Sequence, residues 1–337
     1  MEHSPFGDIV LDEIFYSGHE SVIYRVIGHS DWLIKYQANC DDEIHPLIWD
    51  FEFQRLASEG GLAPGALFLS SASRLSGDFM DPKRKYFFSM KQEEWDECIS
   101  RRGSVRYMIV ERSMWQTLHD YRGLYLNGIL PFVGGLTVVQ ELLRTIQRLH
   151  ENLDIVHGDI HTGNILINIR ESLLEMKLID FGRSKFDNRQ LTSDRVNAVG
   201  FWKSYMCSPW QIDGRAWARR DDVYKAIHVL GFLINPYLYG KREDAYHSSI
   251  SYADSIRWMR QGDIFRIAPM PRGYMLLSGL HLFDPLFDVY SYTRARNILD
   301  ELKSFLTFSV TSMDDINGPI PYDQIIARLE TIKRMAL

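Results

Sequence analysis

Val156-His157-Gly158-Asp159-Ile160-His161-Thr162-Gly163-Asn164-Ile165-Leu166, followed by Leu178-Ile179-Asp180-Phe181-Gly182, is the stretch on which the reading of this chain turns. Two short apolar runs, Ile165 to Ile169 and Met176 to Ile179, flank the polar segment Arg170 to Glu175 and predict a hairpin. A hairpin folds Asp159, Asn164 and Asp180 back toward one another. Upstream, Leu136, Val139, Leu142, Leu143, Ile146 and Leu149 recur at helical spacing and predict a long core helix that leads into the stretch.

A carboxylate, an amide five residues later and a second carboxylate after a hairpin suit phosphoryl transfer. One Asp orients or deprotonates an attacking hydroxyl, while the Asn and the other Asp hold magnesium against the phosphates. The residues resemble the catalytic loop and the Asp-Phe-Gly element of the protein-kinase superfamily, whose signatures are H-R-D-L-x-x-x-N and D-F-G. The resemblance implies Asp159 as the base and Asn164 and Asp180 as magnesium ligands. His161 is the third catalytic candidate, at the position where protein kinases carry a lysine that neutralises the transferring group.

The same resemblance assigns residues upstream. Trp32-Leu33-Ile34-Lys35 is similar to V-A-I-K, which makes Lys35 the partner of the α- and β-phosphates. A helix is expected over Glu43 to Ser58, with Leu47, Phe51 and Leu56 near one face and Gly60-Gly61 as its stop. Glu52 on that helix is the expected ion-pair partner of Lys35; Asp50, about 200° away at roughly 100° per residue, is the alternative. The glycine-rich loop departs from the family, since Tyr16, Gly18 and Ser21 stand where three glycines would be, and Gly18 alone survives to contact nucleotide. Tyr107 to Met114 resembles the fifth strand running into the hinge, with Val110 as gatekeeper and the backbones of Glu111 and Ser113 meeting adenine. Tyr205 to Trp210 resembles the end of an activation loop, and Asp222 the aspartate that braces the catalytic loop. Arg219-Arg220-Asp221-Asp222 and Met114 to Leu118 lean toward the casein-kinase and vaccinia-related-kinase branch.

The expected fold is therefore α+β and bilobal, with a small antiparallel β-rich lobe to about residue 111 and a larger, mainly helical lobe over 112–337. Strands are expected at Asp8 to Tyr16, Val22 to Ile27, Trp32 to Tyr36, Ala66 to Leu69, Lys85 to Met90 and Val105 to Glu111. Helices are expected from Asp221 onward, at Ala295 to Phe308 and at Tyr322 to Met335.

Two departures bear on substrate and control. Gly158 stands in place of the arginine that receives an activation-loop phosphate, so the chain is not expected to rely on that switch even if Thr192, Ser193 or Ser204 is modified. The pattern H-G-D-x-H-x-G-N is also similar to aminoglycoside and choline phosphotransferases. The expected activity is ATP- and magnesium-dependent phosphorylation of a Ser or Thr in a protein. A small-molecule phosphotransferase and a pseudokinase scaffold are the alternatives.

Composition narrows the setting. The chain has 337 residues, 45% hydrophobic and 24% charged, with 38 Lys and Arg against 44 Asp and Glu, a net charge of −6. That balance disfavours a nucleic-acid platform, and no apolar run approaches the roughly 18 residues of a membrane span. Cys40, Cys98 and Cys207 lie far apart without a CxxC pair, so free thiols in a reducing, intracellular compartment, cytoplasmic or nuclear, are expected. His150 and His157 match no helix-based zinc spacing; His157 is expected to pack structurally.

Overall fold

The computed structural model describes residues 9–17, 21–39, 45–74, 92–125, 131–170, 173–187, 218–234, 290–313, 315 and 318–337. Gly18, the expected strand at Lys85 to Met90, the segment Tyr205 to Trp210, and Thr192, Ser193 and Ser204 lie outside them. The architecture is mixed α+β: an N-terminal antiparallel sheet with a helix, then a mainly helical region. The chain divides into two compact units, residues 1–116 with 177–184, and residues 117–176 with 185–337.

In the first unit, strands β1 (Leu11–Ser17), β2 (Ser21–Val26), β3 (His29–Asn39), β4 (Ala66–Leu69) and β6 (Ser104–Glu111) form a sheet in the order β1-β2-β3-β6-β4, and the short β5 (Ser73–Arg74) pairs with β6. All pairings are antiparallel. Side chains alternate between the faces of a strand, so Val22, Tyr24 and Val26 of β2 point one way and are buried. Two small cores result. Val26, Ile34 and Ile109 form one, and Val22, Tyr24, Ala38, Cys98 and Val105 the other. Lys35, next to Ile34, faces the opposite side of the sheet.

Helix α1 (Pro46–Glu59) starts at His45, whose Nδ1 accepts the Leu47 amide at 3.3 Å, and ends at Gly60. Its buried residues are Leu47, Asp50, Phe53, Gln54 and Ala57, a face rotated from the one that Leu47, Phe51 and Leu56 suggest. Phe51 and Leu56 are only partly buried, so apolar residues surround much of this helix and their pattern alone does not choose its inner face.

Helix α2 (Gln92–Ser100) has no counterpart among the sequence expectations. It carries Cys98, which is buried and disulfide-bonded, a correction to the expectation of free thiols. The reducing-compartment reading therefore loses its cysteine argument.

In the second unit, helix α4 (Pro131–Leu153) turns its whole expected stripe inward: Leu136, Val139, Leu142, Leu143, Ile146 and Leu149 are all fully buried. Each such side chain contributes about 1.5–3 kcal/mol through burial. Helix α3 (Leu118–Tyr125) precedes it, after the short strand β7 (Gln116–Thr117). Helices α5 (Arg219–Ile234), α6 (Tyr292–Thr311) and α7 (Tyr322–Ala336) add Val223, Ile227, Leu230, Phe305, Ile325 and Leu329 to the buried set. Strand β8 (Ile155–Val156) pairs with β11 (Lys185–Phe186), and β9 (Ile165–Arg170) with β10 (Leu173–Leu178), the expected hairpin. Among the described residues no helix is long and apolar enough to cross a membrane.

Candidate functional site

Lys35 anchors the cluster in the first unit. Its ammonium donates to Asp50 Oδ2 at 2.7 Å and to Asp180 Oδ1 at 2.9 Å, and the residue is 8% exposed. Asp50 is fully buried and takes the Phe181 amide on its other oxygen at 2.7 Å. One carboxylate thus holds both Lys35 and the segment that carries Asp180. Phe181 is itself fully buried, and the Leu178 amide donates to the Leu62 carbonyl at 2.7 Å, so the segment is tied at both ends. Asp180 adopts φ +64, a left-handed conformation that an aspartate tolerates better than most residues.

Burial by itself would depress the Lys35 ammonium, but the charges of Asp180 and Asp50 and their hydrogen bonds outweigh it and push the group well above the ordinary lysine value. Burial also pushes the Asp50 carboxyl up, against Lys35. The pair is ionised on geometric grounds, because each Asp50 oxygen already accepts a short hydrogen bond.

Glu52 is not the partner of Lys35. Its half-exposed carboxylate pairs with Arg55 at 3.1 Å, one turn along the outer face of α1, and Asp50 takes the expected role. The signal in the sequence was the spacing of Leu47, Asp50, Phe53, Gln54 and Ala57, which puts Asp50 in the middle of an otherwise inward-facing row. At the end of β6, the Glu111 amide donates to the Gly65 carbonyl at 2.8 Å and its carboxylate accepts the Gly65 amide at 3.0 Å. Ser113 Oγ accepts the Trp115 amide at 3.2 Å. Both candidates are therefore pinned into the strand end and the turn that follows.

The second unit gathers Asp159, His161 and Asn164. Asn164, 6% exposed, donates from Nδ2 to the Asp159 carbonyl at 3.0 Å and reaches Asp159 Oδ2 at 3.4 Å. His161 caps a short 3₁₀ turn, Thr162–Asn164, and its Nε2 lies 3.7 Å from Asp159 Oδ2. The Asp159 amide donates to Nδ1 of the fully buried His157 at 3.2 Å, so His157 packs as expected.

The loop is held from below by Asp222 on α5. Its two oxygens accept the amides of His157 at 2.7 Å and Gly158 at 2.9 Å, while Nζ of the buried Lys225 donates to the Gly158 carbonyl at 2.6 Å. Gly158 sits at φ +81, where a side chain would be strained, so glycine meets a backbone demand there. His150 of α4 meets Asp222 Oδ2 through Nε2 at 3.0 Å, and its Nδ1 contacts the Tyr322 hydroxyl of α7. Burial opposes the Asp222 charge, but the His150 hydrogen bond and the nearby His150, His157 and Lys225 hold its carboxyl below the usual range. Burial likewise pushes the Tyr322 hydroxyl well up. Reading the sequence located Asp222 and missed His150, Lys225 and Tyr322, whose roles are tertiary.

Arg219 completes the frame by bridging Asp154 and Asp187, the latter at 2.9 Å. Among the described residues no group of three or more His, Cys, Asp or Glu side chains gathers in a way that could hold a metal ion. The candidate ligands supply hard oxygen donors, Asn164 in the second unit and Asp180 in the first. Comparison of the chain with known protein families and with curated proteins gives no match.

Proposed function

We propose that this chain is an ATP-dependent phosphotransferase with a protein-kinase-like fold, acting on a Ser or Thr hydroxyl of a protein. The observation that carries the reading is the triad of Lys35, Asp50 and Asp180, in which a buried ammonium is shared by two carboxylates from distant parts of the chain. A second carboxylate beside a buried ammonium, with its side chain 47% exposed, supports a site that meets a ligand and is more than one buried structural pair. In this reading Asp50 orients Lys35, and Lys35 meets phosphate oxygens with a charge that stays on at any physiological pH. Asp159 accepts the proton of the attacking hydroxyl, and Asn164 holds the Asp159 backbone in place. Asn164 and Asp180 would hold magnesium, which offsets the phosphate charge during transfer.

A small-molecule acceptor is the second reading, favoured by Gly158 and His161 in the H-G-D-x-H-x-G-N pattern that resembles small-molecule kinases. The retained Lys35, Asp159, Asn164 and Asp180 weigh against a scaffold without catalysis.

The test combines binding and turnover. ATP with magnesium should raise the melting temperature of the wild type and lose that effect in Asp180→Ala, because a ligand that binds the native state stabilises it. Phosphate transfer to generic protein acceptors, or to a panel of hydroxylated metabolites, should fall by about a hundredfold or more in Asp159→Asn. No thermal shift, with equal turnover in both proteins, would sink the proposal.

A further inference from the structure

The His161 ring lies against Gly163. The Gly163 amide donates to His161 Nδ1 at 3.1 Å, and a Cβ built on Gly163 would meet the ring at 3.0 Å from Cε1 and 3.1 Å from Nδ1. Those separations are tighter than most real Cβ contacts, so a side chain at this position would push the ring by a few tenths of an ångström. The backbone at Gly163 is not left-handed, since the described glycines with positive φ are Gly28, Gly61 and Gly158. Gly163 therefore carries no left-handed backbone demand, and the close neighbour a side chain would meet is the His161 ring.

An imidazole nitrogen that accepts a hydrogen bond carries no proton, so the neutral ring must bear its N–H on Nε2. Nε2 is the atom directed at Asp159, 3.7 Å from Oδ2. The Asn164 amide donates to the His161 carbonyl at 2.9 Å and holds the backbone of the same turn, so ring and turn are set together.

We infer that Gly163 is a positioning residue that fixes the tautomer and the seat of His161, so that His161 presents a neutral Nε2–H donor beside the Asp159 carboxylate. Where protein kinases present a lysine charge, this chain presents an oriented N–H donor beside the Asp159 carboxylate. The kinetic consequence rests on the phosphotransfer reading; the tautomer does not.

The test has two arms on the full-length protein. Histidine labelled with carbon-13 and nitrogen-15, with the His161 signal assigned by its loss in His161→Gln, reports the tautomer directly. The Nε2–H form is expected in the wild type, and the Nδ1–H form would overturn the inference whether or not the protein turns over. In the kinetic arm Gly163→Ala should lower kcat about five- to tenfold with little change in the KM for ATP, as expected for a displaced group near the chemistry. The same change on a His161→Ala background should cost nothing further, because the effect passes through the ring. His161→Gln, whose amide nitrogen falls near the Nε2 position, should retain more activity than His161→Asn. Equal losses from Gly163→Ala in both backgrounds would show a role in folding alone and overturn the inference. A wild type without turnover would defeat the phosphotransfer reading and leave the tautomer measurement to decide this one.

Discussion

The two clusters hold their functional residues by different means. In the first unit a side chain is held by side chains: Lys35 is positioned by the Asp50 and Asp180 carboxylates, and Asp50 also takes the Phe181 amide. In the second unit a backbone is held by side chains: Asp222 and Lys225 take the amides and carbonyl of His157 and Gly158, and Asp159 follows as a consequence. Loss of a partner in the first cluster frees one charge. Loss in the second strands several buried groups together, and the two should differ in how far damage spreads.

Asp222→Ala should therefore have the largest effect. It leaves the buried amides of His157 and Gly158 and the His150 ring without their partner, removes the opposite charge near Lys225, and should cost about 3–5 kcal/mol, enough to abolish soluble folded protein or all activity. Denaturant unfolding checks this, and a variant that stays folded and active would show that the loop is held elsewhere.

Asp50→Ala comes next. Its loss should destabilise the protein by about 3 kcal/mol and weaken ATP binding, because Lys35 keeps only the half-exposed Asp180 and the Phe181 amide loses its acceptor. Glu52→Ala should leave melting temperature and ATP affinity unchanged, its carboxylate being engaged with Arg55 on the surface. Equal effects from the two substitutions would return the role to Glu52.

The smallest expected effect separates the clusters by pH. Burial foremost, and the nearby Arg106, lower the His45 pKa from 6.5 to about 4. The unfolded chain then binds a proton that the native state refuses, so this contribution is present above pH 6.5 and lost as pH falls toward 4, about 2 kcal/mol in all. Asp222 has a depressed carboxyl, and its contribution is present above the ordinary carboxylate value and lost only below it. Between pH 6.5 and 4 the wild type should lose stability that His45→Asn retains. Parallel pH profiles for the two proteins would refute the assignment.

Much of the fold is legible along the chain because periodicity is local. Alternation in Val22, Tyr24 and Val26, and the six-residue stripe of α4, report their own burial without reference to anything distant. Helix α2 was illegible for the converse reason, since Gln92 to Ser100 carries four Glu or Asp residues on its own and buries Cys98 through contacts outside itself.

The sequence by itself determined which residues are candidates for chemistry: Asp159, Asn164 and Asp180 stand out by type and spacing, and Lys35 joins them through the resemblance of its strand to V-A-I-K. Tertiary structure decided who holds them. A helix turns about 100° per residue, so Asp50 and Glu52 face different ways; the resemblance pointed to Glu52, and packing against the sheet selects Asp50 as the buried one. Tyr322, His150 and Asp222 lie on three different helices, and nothing local marks them as one hydrogen-bonded row. Their association follows from the cost of leaving a buried polar group unpaired, which only the assembled core imposes.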